Sequence, residues 1–281
     1  MKKLLLTLMF CLLATSVFAT DFTQDVNCVA AYLFTEGSGT TVDDVSANTN
    51  TGNFKGSGEP AWDTTDVPFA VSGSAPNSVD FDGSNDFINI GTLGNFGTNL
   101  DTSTSTITCW VKSSTTTAIL CVMGEVNTGP TTIFQLNLNL SPVDAVTIAA
   151  GKITVTRRDE DTISQIKGVN SNTGITNGNW HHLVWVQSHN SCQIWIDGIN
   201  QTIYDFTTGL ADNMANFEFN MYIGAQNNRG TTANSVDGLM TEFAIFNDAL
   251  TESEITEIYN YGLTGEAASS SPPFFSIINV E

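Results

Sequence analysis

Residues 237–259 read DGLMTEFAIFNDALTESEITEIY, and they combine a strand pattern with a helix pattern. Apolar residues dominate Met240–Phe246, which favours a β-strand. Thr251 can cap a helix, and Glu254 follows three residues later, which is the spacing of a capping box. Apolar residues then recur at helical spacing, at Ile255, Ile258 and Tyr259. We therefore predict one strand followed directly by one short helix.

Upstream of this stretch, short apolar or alternating runs are separated by clusters of Gly, Asn and Asp. Such a pattern is typical of an all-β sandwich or barrel. The further strands that we predict are Val29–Phe34, Ser78–Phe81, Phe87–Ile90, Ser105–Lys112, Ala118–Met123, Thr132–Leu138, Lys152–Arg157, His181–Gln187, Gln193–Ile196 and Met221–Ile223. Many strands with little helix require two stacked antiparallel sheets.

Alternation within single strands predicts which side chains face the core. In Ser105–Lys112, we expect Ile107, Cys109 and Val111 to point one way and their neighbours the other. In Gln193–Ile196, the two isoleucines should face one side and Trp195 the other. Asp197-Gly198 follows that strand and suits a tight hairpin turn.

The two ends of the chain differ from the middle in composition. Residues 1–19 combine a basic start, a short apolar run and a small-residue end, which predicts a secretory signal peptide; an uncleaved membrane anchor is the alternative. We expect residues 20–266 to form one domain and residues 267–281 a linker-like tail. The predicted location is outside the cell or in a periplasm.

The charge balance excludes some partners. The formal net charge is −20, with only 9 basic residues against 29 acidic ones. Binding to nucleic acid or insertion at an anionic membrane uses clustered Lys and Arg, so we expect neither. The carboxylates favour solubility, and some of them suit a hard cation such as Ca²⁺.

Cysteine usage leaves two alternatives. Cys11 lies in the predicted signal peptide, and the other cysteines are Cys28, Cys109, Cys121 and Cys192. An even number in an exported protein permits disulfides, whose pairing the sequence does not determine, and Cys109 with Cys121 is the first candidate pair. Buried thiols are the alternative.

Several segments resemble the laminin-G-like jelly rolls of the concanavalin A-like superfamily, in family order over residues 28–265. They include residues 31–41 (AYLFTEGSGTT) with the loop at 44–52 (DVSANTNTG), residues 79–88 (VDFDGSNDFI), Trp180–Val184, and residues 237–247 with the helix after them. The resemblance implies an all-β, two-sheet antiparallel jelly-roll sandwich with one short C-terminal helix.

The resemblance also implies a Ca²⁺ site between the first loop and the last strand. The ligand candidates are Asp44, Asn48 and Asn50, with Thr241 and Glu242 on the strand. Oxygen atoms from a turn and a distant carboxylate suit Ca²⁺. The alternative is a turn in which Asp and Asn bind their own backbone without a metal. The loop Asp82–Asp86 also resembles a cation loop, but we interpret it as a hairpin with turn residues in their usual places.

Catalytic patterns are missing from the sequence. It has neither the spaced carboxylates of related β-glucanases nor a Gly-x-Ser-x-Gly elbow. His181 and His182 are adjacent on a strand and should point to opposite faces, so we expect a packing role. Trp62, in a Pro-containing loop, is the tryptophan that we expect to be exposed.

These observations lead to a secreted, non-catalytic carbohydrate-binding or adhesion module, with Ca²⁺ as the implied cofactor. Its partner would be a polysaccharide or surface glycan. The alternative is a structural or protein-binding β-sandwich without a glycan site, whose partner is a surface protein. A polysaccharide-degrading enzyme is a third and weaker hypothesis.

Overall fold

The structure is a computed structural model that describes residues 22–56, 59–68, 77–92, 104–115, 118–123, 133–138, 152–158, 164–169, 175–188, 191–205, 220–228 and 231–264. The predicted signal peptide at 1–19 and tail at 267–281 lie outside these ranges. Within the described residues, no helix is both long and apolar enough to cross a bilayer.

A short 3-10 turn at Phe22–Gln24 precedes the first strand. The strands are β1 (Cys28–Tyr32), β2 (Thr41–Val42), β3 (Gly52–Lys55), β4 (Ala61–Asp63), β5 (Ser78–Asp82), β6 (Phe87–Thr92), β7 (Thr104–Ser113), β8 (Ala118–Met123), β9 (Ile133–Leu138), β10 (Ile153–Arg158), β11 (Ser164–Val169), β12 (Trp180–Ser188), β13 (Ser191–Ile196), β14 (Ile199–Asn200), β15 (Ile203–Asp205), β16 (Asn220–Ile223), β17 (Gln226–Asn228), β18 (Thr231–Ala233) and β19 (Asp237–Phe246). Helix α1 follows at Glu252–Thr264.

Two antiparallel sheets form the sandwich. The eight-stranded sheet has the order β14-β13-β12-β7-β19-β5-β4, and β1 also pairs with β19. The nine-stranded sheet has the order β15-β11-β10-β9-β8-β16-β6-β3-β2. Strands β17 and β18 form a separate ribbon. The all-β jelly-roll sandwich with one short C-terminal helix is therefore confirmed.

The main core lies between the two sheets. Ile107, Cys109 and Val111 of β7 belong to this core, as the alternation predicted. So do Ile194 and Ile196 of β13. One face of β7 and of β13 therefore points inward, and the opposite face is left for packing or binding.

A second apolar cluster lies on the outer side of the eight-stranded sheet, beneath α1. Trp195 and Phe246 contribute from the sheet, and Ile255 and Ile258 from the helix. The capping box is confirmed by two hydrogen bonds: the backbone N–H of Thr251 donates to Glu254 Oε2 at 2.7 Å, and that of Glu254 to Thr251 Oγ1 at 3.4 Å.

The predicted strands all occur, with ends shifted by a few residues at most. The Asp197-Gly198 hairpin is confirmed as well. Ile196 pairs with Ile199 across it, and both turn residues have positive φ, at 51° and 74°. These are the left-handed conformations that a two-residue hairpin of type I′ needs.

The hairpin interpretation of Asp82–Asp86 is wrong. Strand β5 before the loop pairs with β4 and β19, whereas β6 after it pairs with β3 and β16. The loop therefore carries the chain from one sheet to the other. Its Asp-Gly turn bends the backbone in the same way in both cases, so the local sequence does not distinguish them.

The structure joins none of the four described cysteines by a disulfide. Cys109 and Cys121 belong to facing sheets and to the same buried core. Burial raises the pKa of the Cys109 thiol to about 12. Cys28, Cys109 and Cys121 are buried, as the alternative of buried thiols expects, whereas Cys192 is half-buried.

Candidate functional site

The outer surface of the nine-stranded sheet carries a row of polar side chains, which we call the amide row. Strand register places Asn53 beside Asn89 and Asn89 beside Tyr222. The same row continues across β8 to Gln135 of β9. The next row of the same strands runs from Phe54 through Ile88, Ile223 and Leu136, all within the core. Because successive side chains alternate, the amide row points away from the core.

The accessible half of the amide row lies over β3, β6 and β16. Asn53 is exposed, and Asn89, Tyr222 and Phe87 are half-buried. The rings of Phe87 and Tyr222 pack edge to face with centroids 5.4 Å apart. Two aromatic rings thus stand beside two amides on the same surface.

Hydrogen bonds fix these side chains but leave polar atoms for a ligand. Asn89 Oδ1 accepts the backbone N–H of Gly91 at 2.9 Å. Asn220 Nδ2 donates to the Tyr222 hydroxyl at 3.3 Å, and Asn53 Nδ2 donates to the carbonyl of Thr51 at 3.3 Å. The Asn89 Nδ2 donor and the Asn53 Oδ1 acceptor remain available to a ligand, while the other amide atom of each side chain is held by a hydrogen bond.

The other half of this face is polar and buried. Gln135 and Asn137 of β9 and Thr154 of β10 are 3%, 0% and 0% exposed. Gln135 Nε2 donates to Asn137 Oδ1. Asn137 Nδ2 has no hydrogen-bond partner among the described residues. A buried amide donor without a partner is costly, so this position favours an additional polar contact.

Sequence reasoning missed the amide row. Alternation in the predicted strand Phe87–Ile90 does place Asn89 opposite the two isoleucines, which was the available signal. That Asn89 lies beside Tyr222 depends on the pairing of two strands distant in the chain.

Trp62 is not the exposed loop residue that we expected. It lies in β4, half-buried, with ring centroids 5.3 Å from Phe54 and 6.4 Å from Phe34. Its Nε1 donates to the carbonyl of Gly39 at 2.8 Å. Trp62 therefore closes one edge of the core.

The predicted calcium loop is fastened to β1 by its own polar groups. Asp44 Oδ1 accepts the backbone N–H groups of Ala31 and Ser46, both at 2.9 Å. Asp44 Oδ2 accepts the backbone N–H and the side-chain Nδ2 of Asn50, at 2.9 and 3.3 Å. Asn48 Nδ2 donates to the carbonyl of Val29 at 2.9 Å. The protein thus satisfies the carboxylate by itself.

Thr241 and Glu242 lie at a bulge of β19. Strand β5 pairs with β19 up to Met240 and β1 pairs with it from Phe243 onward, so neither strand pairs with these two residues. The hydroxyl of Thr241 donates to the carbonyl of Asn77 at 2.9 Å. Glu242 has φ of 48° and is 6% exposed, and burial raises its pKa to about 8. Within the described ranges, no group of three or more His, Cys, Asp or Glu side chains has an arrangement suited to a metal. Calcium at the Asp44 loop stays a prediction.

The two histidines have separate environments. His181 Nδ1 lies 2.8 Å from Asp197 Oδ2, whereas His182 Nε2 lies 2.7 Å from Thr108 Oγ1. His182 is buried against Trp110 and Tyr259, and burial lowers its pKa to about 3. Their side chains have different partners, and the His182 ring packs against two aromatic rings, which agrees with a packing role for one of them.

A concave surface lies between the β13–β14 hairpin and the start of α1. This groove has a volume of about 410 Å³, and Trp195, Ile199, Asn200 and Glu252 are among its lining residues. Ile199 is 65% exposed. The groove is on the other sheet from the amide row, so its residues provide controls for binding experiments.

The fold agrees with the comparisons to known proteins. A family model described as the concanavalin A-like lectin/glucanases superfamily matches residues 82–256. The chain belongs to this superfamily. No curated protein sequence matches it significantly.

Several solved structures are similar to the chain in fold. Domain 4 of AbnA, a GH43 extracellular arabinanase from Geobacillus stearothermophilus, in complex with arabinotriose, aligns with TM-score 0.58 and 16% identity over 83% of this chain and 98% of that one. The binding domain of botulinum neurotoxin serotype D aligns with TM-score 0.55 and 14% identity over 83% of this chain and 51% of that one. The binding domain of Paraclostridial Mosquitocidal Protein 1 aligns with TM-score 0.55 and 15% identity over 83% of this chain and 52% of that one.

At these identities the likeness shows the fold alone. The chain spans about half the length of the two toxin domains and nearly all of the arabinanase domain. The neighbours thus include a domain solved with a saccharide as well as receptor-binding domains.

Proposed function

We propose that the protein is a secreted, non-catalytic carbohydrate-binding module that holds a glycan against the amide row of the nine-stranded sheet. The observation that carries this proposal is the alignment of Asn53, Asn89 and Tyr222 on one register row, with the Phe87 ring beside Tyr222.

The chemistry of this row suits a saccharide. Amide groups donate and accept hydrogen bonds, as sugar hydroxyls require. Tyrosine and phenylalanine rings present an apolar surface to the C–H faces of a sugar, while the tyrosine hydroxyl adds a polar contact. Binding sites of this kind combine aromatic walls with a few placed polar groups.

The charge of the chain selects among glycans. With a formal net charge of −20, the protein repels polyanions at long range. We therefore expect neutral glycans to bind in preference to sulfated or uronic-acid polymers. The arabinotriose bound to the similar arabinanase domain supports a neutral oligosaccharide as the first probe.

The polar side chains named on the amide row, Asn53, Asn89, Tyr222 and Gln135, are amides and a phenol rather than carboxylates, which supports binding without catalysis. Glycoside hydrolysis generally needs two carboxyl groups flanking the bond, about 5–9 Å apart. Secretion through the predicted signal peptide at 1–19, and calcium at the Asp44 loop, belong to the same proposal. The proposed calcium site predicts that a chelator lowers the melting temperature and that added Ca²⁺ restores it.

A glycan array tests the proposal. We expect the full chain to bind neutral oligosaccharides and the Tyr222→Ala and Asn89→Ala variants to bind about 3- to 10-fold more weakly, as expected for losing one stacking or polar contact. Asn200→Ala, in the groove on the other sheet, is the matched control and should bind like the unchanged protein. Binding to no glycan, with or without Ca²⁺, would contradict the proposal and favour a protein-binding sandwich.

A further inference from the structure

Strand β14 is the last strand of the eight-stranded sheet, and among the described residues only β13 pairs with it. The backbone N–H of Gln201 donates to the carbonyl of Ile194 at 2.9 Å. Hydrogen-bonded and non-bonded pairs alternate in antiparallel strands, so the next pair, Asn200 with Trp195, is a non-bonded one. The backbone N–H and C=O of Asn200 therefore point away from β13, toward the open edge of the sheet.

The two residues of β14 serve opposite faces of the sheet. Trp195 packs in the cluster beneath α1, and its pairing partner Asn200 shares that outer face. Ile196 belongs to the main core, and its pairing partner Ile199 shares that inner face. Asn200 and Ile199 are both exposed, Ile199 by 65%. A strand added at this edge would place one side chain beside Asn200 and the next one beside Ile199.

The groove between the β13–β14 hairpin and the start of α1 lies on the outer face, beside Asn200. Its volume of about 410 Å³ is within the range of ligand pockets in proteins. Trp195 and Leu250 are apolar residues of its lining, and Glu252 is the single charged residue among the described lining residues. An arginine or lysine side chain suits such a groove, because its stem packs on apolar surface while its charged head stays in a polar environment.

The charge around the groove favours a basic occupant. Glu252 is exposed and belongs to no ion pair within the described ranges. Burial raises the pKa of the nearby Asp248 carboxyl, and the carboxylates of Glu254 and Asp25 raise it further, to about 6. With a formal net charge of −20, two copies of this chain repel each other at long range. Charge complementarity therefore selects a basic segment of another protein.

We propose that β14 and the groove bind an extended segment of another protein in which a basic residue lies between two apolar residues. The segment pairs with Asn200 as an additional antiparallel strand, which is how exposed sheet edges recognise peptides. The basic side chain enters the groove, with its stem along Trp195 and Leu250 and its head beside Glu252. The apolar side chains on either side of it point to the opposite face, where Ile199 lies. This site is separate from the amide row, which lies on the other sheet.

Fluorescence anisotropy with the full chain and labelled nine-residue peptides tests this proposal. The peptides carry arginine or lysine at the centre, valine or leucine on both sides of it, and threonine elsewhere. We expect Kd on the order of 10⁻⁴ M for at least one of them, because a short peptide loses much freedom for few contacts. A glutamate at the centre, or a methyl group on the central backbone nitrogen, should weaken binding about 10-fold or more.

Variants of the protein test the two halves of the site. Glu252→Gln should weaken binding about 3-fold and reduce its dependence on salt. Asn200→Pro removes the outward N–H without removing a bond to β13, and it should weaken binding by about 5-fold or more. Asp237→Asn is the matched control, because Asp237 is exposed and its strand lies four strands away from β14 in the same sheet.

Circular dichroism verifies that each variant is folded, and the methylated peptide carries the test of strand pairing if Asn200→Pro does not fold. The proposal is overturned if none of the basic peptides binds, or if the glutamate and methylated peptides bind as tightly as their parents. It is also overturned if Glu252→Gln and Asn200→Pro both bind like the unchanged protein. A neutral glycan whose binding Glu252→Gln removes would assign the groove to a saccharide and overturn it as well.

Discussion

Glu242→Gln tests the consequence of burying a carboxyl group at the bulge of β19. Glu242 is 6% exposed, and its Oε2 has no hydrogen-bond partner among the described residues. Burial raises its pKa from 4.5 to about 8, because the charged form loses its hydration. Glutamine has nearly the same shape and stays neutral at every pH.

The sign of the pH dependence of stability follows from the direction of the pKa shift of Glu242. Because the folded-state pKa exceeds the ordinary value, the stability that Glu242 contributes is fully present below pH 4.5 and is lost as the pH rises through about 8. Each pKa unit corresponds to about 1.4 kcal/mol, so the shift sets a ceiling of roughly 5 kcal/mol. Relaxation and water penetration reduce this, and we expect a loss on the order of 2–5 kcal/mol.

Urea unfolding of both proteins, at pH values from about 5 to about 9, measures the effect through the difference in the free energy of unfolding. The Glu242→Gln variant should gain stability relative to the unchanged protein as the pH rises across this range. Burying an amide in place of a carboxyl group can also change the free energy of unfolding by an amount that does not depend on pH. Such a change does not affect the slope of the stability difference against pH. Glu252→Gln, at an exposed position, is the control. Equal pH slopes for Glu242→Gln and the unchanged protein would refute the reasoning.

Three further predictions concern stability and are checked by urea unfolding, with circular dichroism to monitor the fold. Thr251→Ala removes the capping box with Glu254 and should cost about 1 kcal/mol; no loss would show that the helix is held by packing alone. Gly238→Ala places a Cβ 2.2 Å from the main-chain oxygen of Lys112 at a φ of 144°, so we expect a cost on the order of 3 kcal/mol or more; a near-neutral result would contradict this contact. Phe243→Ala empties part of the main core and should cost about 3–5 kcal/mol; a cost below about 1 kcal/mol would contradict its burial.

Local sequence patterns predicted the strands because burial on one face imposes a period of two. This is why β7 and β13 were assigned to the correct faces. Strands β2 and β14 have two residues each, which is too short for any period to appear. Their existence depends on partners elsewhere in the chain, and local propensity does not supply that information.

The candidate sites also combine features that local sequence predicts with features that depend on long-range pairing. The motif at Asp44 was visible in the sequence, and three of its carboxylate's four hydrogen bonds lie within the loop. The fourth, from the backbone N–H of Ala31, depends on β1 lying beside the loop. The loop Asp82–Asp86 was recognised as a turn, whereas its passage from one sheet to the other depends on the pairing of β5 with β19 and of β6 with β3. Long-range pairing thus determines the amide row.

The central claim is that a glycan binds on the amide row, and a crystal structure of the protein soaked with arabinotriose tests it most directly. We predict a sugar ring in van der Waals contact with Tyr222 and a sugar hydroxyl within hydrogen-bond distance of Asn89 Nδ2. If arabinotriose does not bind, the oligosaccharide with the strongest array signal takes its place. A sugar bound in the groove beside Ile199, with the amide row empty, would contradict the claim.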